Sequence, residues 1–238
     1  MLAMPANLAQ WYSSLAPSTL AQWVAAVGTV SAVSVALFKD SLLYRWRRPK
    51  LATTCENSPP WTVRTPLFMG LPGNLLWTGE SYWIRVKVTN EGRTRAEKVQ
   101  VSLSNLEYKP DVDGDFSEDQ RQHFPLNLTW SHVHVPILDG ISPGMSALCD
   151  IIAMSDPANP YWQKPGGTPA NVTVGRLQFE VELPPEFHSL KPGSWRLTLR
   201  IAAANVKPTV KTLLFSHTGG WRQNDADMRR ECLKVSLN

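Results

Sequence analysis

Tyr82-Trp83-Ile84-Arg85-Val86-Lys87-Val88-Thr89-Asn90-Glu91-Gly92-Arg93-Thr94-Arg95-Ala96-Glu97-Lys98-Val99-Gln100-Val101 is the stretch on which the fold turns. Ile84, Val86 and Val88 alternate with Arg85, Lys87 and Thr89, a period of two that lines up an apolar row on one face of a strand. Asn90-Glu91-Gly92-Arg93 supplies a turn, after which Val99, Val101 and Leu103 alternate with Gln100 and Ser102. This predicts two strands paired antiparallel. The same alternation recurs at Leu177, Phe179, Val181 and Leu183, at Trp195, Leu197, Leu199 and Ile201, and at Leu233, Val235 and Leu237. Weaker runs at 51–56, 133–138, 145–153 and 208–216 bring the total to about nine strands. Asn224-Asp225 introduces a short helical turn over 224–230, and no long amphipathic helix follows residue 50. The predicted chain is mainly β, with one antiparallel immunoglobulin-like β-sandwich over 51–238.

The run 82–101 resembles the strand, Asn-x-Gly turn, Ala, strand pattern of CARDB-like immunoglobulin-fold modules of bacterial proteins. With the segments that precede it, the layout is similar to bacterial single-pass membrane proteins carrying one such sandwich. The resemblance implies a fold and no reaction, because sandwiches host unrelated functions.

Outward toward the amino terminus, residues 20 to 38 (LAQWVAAVGTVSAVSVALF) carry no charged side chain. As a helix rising about 1.5 Å per residue they reach about 28 Å, close to the hydrocarbon thickness of a bilayer. A transmembrane helix is predicted over 19–44, with an extracytoplasmic segment at 1–18 and a basic tether at 45–50. Trp11, Tyr12 and Trp23 on one side and Tyr44 and Trp46 on the other stand where interfacial aromatics are expected, and Lys39 is placed to snorkel. Gly28, Ala32 and Ala36 fall on one helical stripe, the spacing at which small residues let two membrane helices approach and self-associate.

Charge fixes the expected orientation and excludes a function. The net +4 resides in residues 39–50, where Lys39, Arg45, Arg47, Arg48 and Lys50 outweigh Asp40; the remainder of the chain balances 19 basic against 19 acidic side chains. A phosphate-tracking groove needs clustered cations, so no nucleic-acid partner is expected. Basic flanks are retained in the cytoplasm, and these follow the span, which predicts an inner-membrane protein with its amino terminus outside and its sandwich inside. The same order of charges argues against a cleavable signal. Cys55, Cys149 and Cys232 are odd in number and widely spaced, as reduced thiols would be. The sequons at Asn127 and Asn171 then never meet the glycosylation machinery.

Chemical motifs are sparse. The sequence holds no Walker phosphate loop, G-x-G-x-x-G, G-x-S-x-G or H-E-x-x-H. His132 and His134 would share one strand face and are read as solvated, with no third ligand nearby. Asp111-Val112-Asp113-Gly114-Asp115 opens like a calcium loop, but Phe116 stands where that loop needs Gly and Gln122 where it needs Glu. The segment 107–121, with Lys109 and Arg121 against six acids, is expected to meet a basic partner more readily than an anion. Cys149, beside Leu148 and Ile151, reads as a buried inert thiol. Neither a metal nor a cofactor is expected.

Two Pro-rich aromatic segments remain. Residues 57–79 carry Trp61, Phe68 and Trp77, and residues 155–171 carry Tyr161 and Trp162. Read as long loops, they offer the anchors of a protein interface. The first, a few residues past the tether, is also placed to lie on the inner leaflet. The expected function is a membrane-tethered, non-catalytic binding or scaffold module whose partners are the bilayer, an unidentified protein and a second copy through the helix. Two alternatives share the layout: an antiphage sensor-effector whose β-domain binds a small signal while the helix oligomerises, and an outward-facing envelope adhesion module.

Overall fold

A computed structural model describes residues 17–71, 74–110, 114–119, 125–159, 166–181 and 183–238. A helix α1 (Pro17–Arg47) belongs to one compact unit, and Arg48–Asn238 forms the other. Within α1, Ala21–Lys39 is long and apolar enough to cross a membrane.

The second unit is two antiparallel sheets. The first contains β1 (Leu51–Thr54), β2 (Thr62–Leu71), β3 (Asn74–Asn90), β7 (Thr129–Trp130), β9 (Ser146–Ser155), β10 (Gly175–Leu177) and β11 (Ser189–Leu190), ordered β1-β3-β9-β10-β11 with β2 on β3 and β7 on β9. The second contains β4 (Ala96–Lys109), β5 (Ser117–Glu118), β6 (Leu126–Asn127), β8 (Ile137–Ile141), β12 (Gly193–Ala203), β13 (Val206–His217) and β14 (Leu233–Leu237), ordered β14-β13-β12-β4-β5 with β6 and β8 on β4. Ile84, Val86 and Val88 from one sheet meet Val99, Val101, Leu103, Leu197, Leu199 and Phe215 from the other in a continuous core, with Trp130, Trp195 and Tyr82 its largest fully buried side chains. The alternation read at 84–88, 99–103, 195–201 and 233–237 is the alternation of this core face, and removing those rows from water is what drives the two sheets together.

Four expectations are corrected. β3 and β4 do not pair; they lie in different sheets, and residues 91–95 carry the chain from one to the other. Period-two spacing reports a buried face, which is the same whether the next strand lies alongside or across the core. The buried Asn90 side chain holds this crossing: its Nδ2 donates to Thr94 O at 2.7 Å and Ile141 O at 2.8 Å, and its Oδ1 accepts from Gly92 N at 3.0 Å and Lys50 N at 3.2 Å.

Second, much of the segment 57–79 is a hairpin of β2 with β3 rather than a loop. Pro66 is accommodated because, among the described residues, β2 pairs only with β3 and so stands at a sheet edge. Third, the strand expected over 177–183 ends at Leu177; beyond it a single bridge joins Phe179 to Leu128, and Val181 is 58% exposed. Pro184-Pro185 then opens a one-turn helix α2 (Pro185–His188), which ends the ladder. Fourth, the strand expected from residue 133 starts at Ile137. His132 and His134 instead occupy a tight turn with φ of 73° and 51°, both exposed, and His134 N donates to Trp130 O at 2.9 Å. Val133 and Val135 are exposed as well.

The turn expected at 224–230 is present as a short helix α3 (Asp225–Asp227) followed by a π-turn over Met228–Cys232. Asn224 caps it, its Oδ1 accepting from Ala226 N at 2.8 Å and Asp227 N at 3.2 Å.

Candidate functional surfaces

The chain enters the sandwich at one end. Lys50 O accepts from Glu91 N at 2.8 Å, Leu51 pairs with Asn90, and a Cβ on Gly92 would come within 2.5 Å of Lys50 N and Pro49 Cα, so only glycine lets the crossing pack on the tether backbone. From there β3 runs 17 residues, roughly 55 Å at about 3.3 Å each, to the hairpin end at Asn74. The hairpin therefore lies at the opposite end of β3 from the tether, despite its nearness in sequence. Ser81 pairs with Ser155 where β9 ends; among the described residues, β3 from Gly79 to Asn74 pairs only with Leu67–Leu71 of β2. A two-stranded ribbon thus extends past the sheet, and residues 65–79 carry no charged side chain.

Of the expected anchors, Phe68 and Trp77 sit on this ribbon, at positions opposite Thr78 and Met69. Trp61 is not a free anchor: it packs half-buried against the core and its Nε1–H donates to Thr54 Oγ1 at 3.2 Å. Tyr161 and Trp162 lie outside the described residues, as do Trp11, Tyr12 and the Asp111-Val112-Asp113 opening of the acidic loop. Gly28, Ala32 and Ala36 fall within α1, and a Cβ on Gly28 would meet nothing within 4 Å. Trp23 and Lys39 are exposed on the helix, Tyr44, Arg45, Trp46 and Arg47 form its last turn, and Arg48 and Lys50 are exposed beyond it.

At the base of the ribbon Arg64 gathers a clasp. Its guanidinium pairs with Glu80 and, at 2.6 Å, with Asp225, and lies 5.5 Å from the Tyr82 ring centroid and 5.3 Å from that of Trp221. Tyr82 Oη accepts from Arg229 Nη1 at 3.1 Å, and Asn57 Nδ2 donates to Arg229 O and Leu233 O at 3.1 and 3.0 Å. Burial and the neighbouring Asp225 carboxylate push the Tyr82 phenol above its ordinary range. These contacts fasten the carboxy-terminal turn to β2 and β3, and their chemistry is that of a structural latch.

Buried titratable groups are equally structural. Asp150 accepts from Arg85 Nε at 2.7 Å and from Ser131 Oγ at 2.6 Å. All three cysteines are free and buried. Burial, with Asp150 adjacent, holds the Cys149 thiol well above its ordinary range, and burial beside Glu56 pushes Cys55 up to about 12. Neither is poised as a nucleophile. Among the described residues no three His, Cys, Asp or Glu side chains are grouped to hold a metal.

One surface was not read from sequence. The outer face of the second sheet bears an open groove of about 650 Å³, lined among others by Lys109, Phe116, Ser194, Ser216, Arg230 and Lys234. The polar half of each strand's alternation was visible, but the register that aligns residues from four strands was not. Searches against family models, curated proteins and solved structures find nothing that matches this chain.

Proposed function

We propose that the protein is a membrane-tethered, non-catalytic binding module: α1 spans the bilayer, the Arg-rich exit at 45–50 holds the sandwich on the cytoplasmic side, and the β2–β3 ribbon engages a protein partner. The observation that carries this reading is the ribbon's position, uncharged over 65–79 and at the opposite end of β3 from the tether. A two-stranded ribbon of such composition is poorly suited to water by itself, and an aromatic-bearing apolar projection is the usual centre of an interface. The immunoglobulin-like and CARDB-like likeness accords with this role and adds no chemistry to it.

The test is photocrosslinking in intact membranes from a benzoyl group at position 77, with exposed Val210 as the control site. A discrete protein adduct from position 77 alone is expected. Adducts to lipid only, or none, contradict the reading.

A second reading is favoured by the small-residue spacing of Gly28, Ala32 and Ala36 on one continuous helix: the helix self-associates and the sandwich acts as a sensor. Gly28→Ile would then reduce crosslinked dimer in membranes, and an unchanged dimer yield would remove it.

A further inference from the structure

Four neighbouring strands place one residue each in a row across the second sheet: Lys109 pairs with Ser194, Ser194 with Ser216, and Ser216 with Lys234. Their sequence neighbours Trp195, Phe215 and Val235 face the core, so the row faces outward, and all four residues line the groove. Adjacent strands are about 4.8 Å apart. The result is two hydroxyls side by side with an ammonium-bearing side chain at each end, long enough to reach inward over them.

The walls carry both signs. Arg230 borders the groove beside Lys234 but pairs with Asp227 at 2.6 Å and with Glu231 at 2.8 Å, and Glu231 lines the groove too. The positive charge the groove offers is therefore that of Lys109 and Lys234, with Lys109 the exception in an acidic stretch of sequence. On the other side the Arg196 guanidinium carbon lies over the Phe116 ring, 4.0 Å from its centroid, with Lys109 Nζ at 5.9 Å. Arg196 is itself held by Glu107 at 2.9 Å, so the aromatic wall is braced rather than free to collapse into the groove. Ser194 and Ser216 are half-buried hydroxyls that present donors to whatever sits above them.

Resting on the reading of the chain as a binding module, we infer that this groove is a binding site for a soluble organic phosphate carrying at least two phosphoryl groups. Lysines flanking paired hydroxyls match spread negative charge on tetrahedral oxyanions, with the ammoniums neutralising charge and the hydroxyls fixing orientation. A soluble source is favoured over a lipid headgroup by position. β4 runs from Ala96, beside the tether's entry, to Lys109 at the groove, 14 residues or roughly 45 Å of strand at about 3.3 Å each. The groove thus lies at the end of β4 opposite the chain's entry.

The full chain in non-ionic detergent, titrated calorimetrically with inorganic pyrophosphate at low ionic strength, tests this. Binding is expected, weakened at least about tenfold when Lys109→Gln and Lys234→Gln are combined and weakening as salt rises, as charge neutralisation requires. Ser216→Ala should weaken it about threefold without moving the thermal midpoint of the unliganded chain, and Lys207→Gln, at the far end of β13, should change nothing. No binding, binding unaffected by the double substitution, or binding to phosphatidylglycerol vesicles but not to pyrophosphate would each overturn the assignment. Those results leave the membrane tether untouched, since its own test is extraction from the bilayer.

Discussion

Asn90 Oδ1 accepts the backbone N–H of Lys50 at 3.2 Å, a bond between the last residue of β3 and the last residue of the basic tether. One carboxamide thereby ties the chain's entry to the crossing between sheets, since its Nδ2 simultaneously serves Thr94 and Ile141. Lys50 is consequently fastened to the end of the sandwich that the chain enters.

Asn90→Ala should cost about 2–4 kcal/mol, because it strands the buried Ile141 carbonyl and removes the partner of three part-buried backbone groups, Thr94 O, Gly92 N and Lys50 N. Gly92→Ala should be comparably harmful through the backbone contact described above. Denaturant titration of the full chain in detergent measures both, and a loss within error of zero would show that the crossing is held by other contacts.

Arg64→Lys should lose most of the clasp. A single ammonium cannot meet Glu80, Asp225 and two ring faces together, so the variant should be destabilised by about 1–3 kcal/mol, close to Arg64→Ala. Faster proteolysis near the carboxy terminus should accompany it, as the Asp225–Cys232 segment detaches. Full rescue by lysine would contradict the latch.

His217 is 3% exposed, its Nε2 donates to Leu190 O at 3.0 Å, and burial pushes its imidazole down to about 4. An unfolded histidine titrates near 6.5, so acidification protonates the unfolded chain first. The contribution is complete above about pH 6.5 and is lost as pH falls toward about 4, about 3 kcal/mol in all. Burial pushes His188 down to about 4 as well, adding to the slope in the same window. Thermal midpoints measured across that range should fall with pH, less steeply for His217→Gln than for the parent.

The strand rows at 84–88, 99–103, 195–201 and 233–237 were legible because a half-buried strand writes its burial into every second residue. Three things were not. The partner of β3 was invisible, since its apolar row reads the same whether the next strand lies alongside it, as β9 does, or across the core, as β4 does. The ribbon was hidden because Pro66 within a Pro-rich segment reads as a loop residue, whereas a strand paired on one side only tolerates proline. The groove depends on register across β4, β12, β13 and β14, and no property of Lys109 or Ser216 within its own strand announces the residue beside it.

Thiol reactivity offers a direct check of the sandwich interior. Cys55, Cys149 and Cys232 are buried, and the first two are held in the protonated form. A maleimide reagent at neutral pH should leave the native chain unmodified over a period in which the unfolded chain reacts completely. Rapid labelling of any of the three would mean that its part of the core is open.

The central claim is that Ala21–Lys39 lies in the bilayer and tethers everything after it. Washing isolated membranes with alkaline carbonate, followed by immunodetection of the carboxy terminus, tests this most directly. The full-length chain is predicted to stay with the membrane pellet and to be released only by detergent; its recovery in the carbonate supernatant would contradict the account.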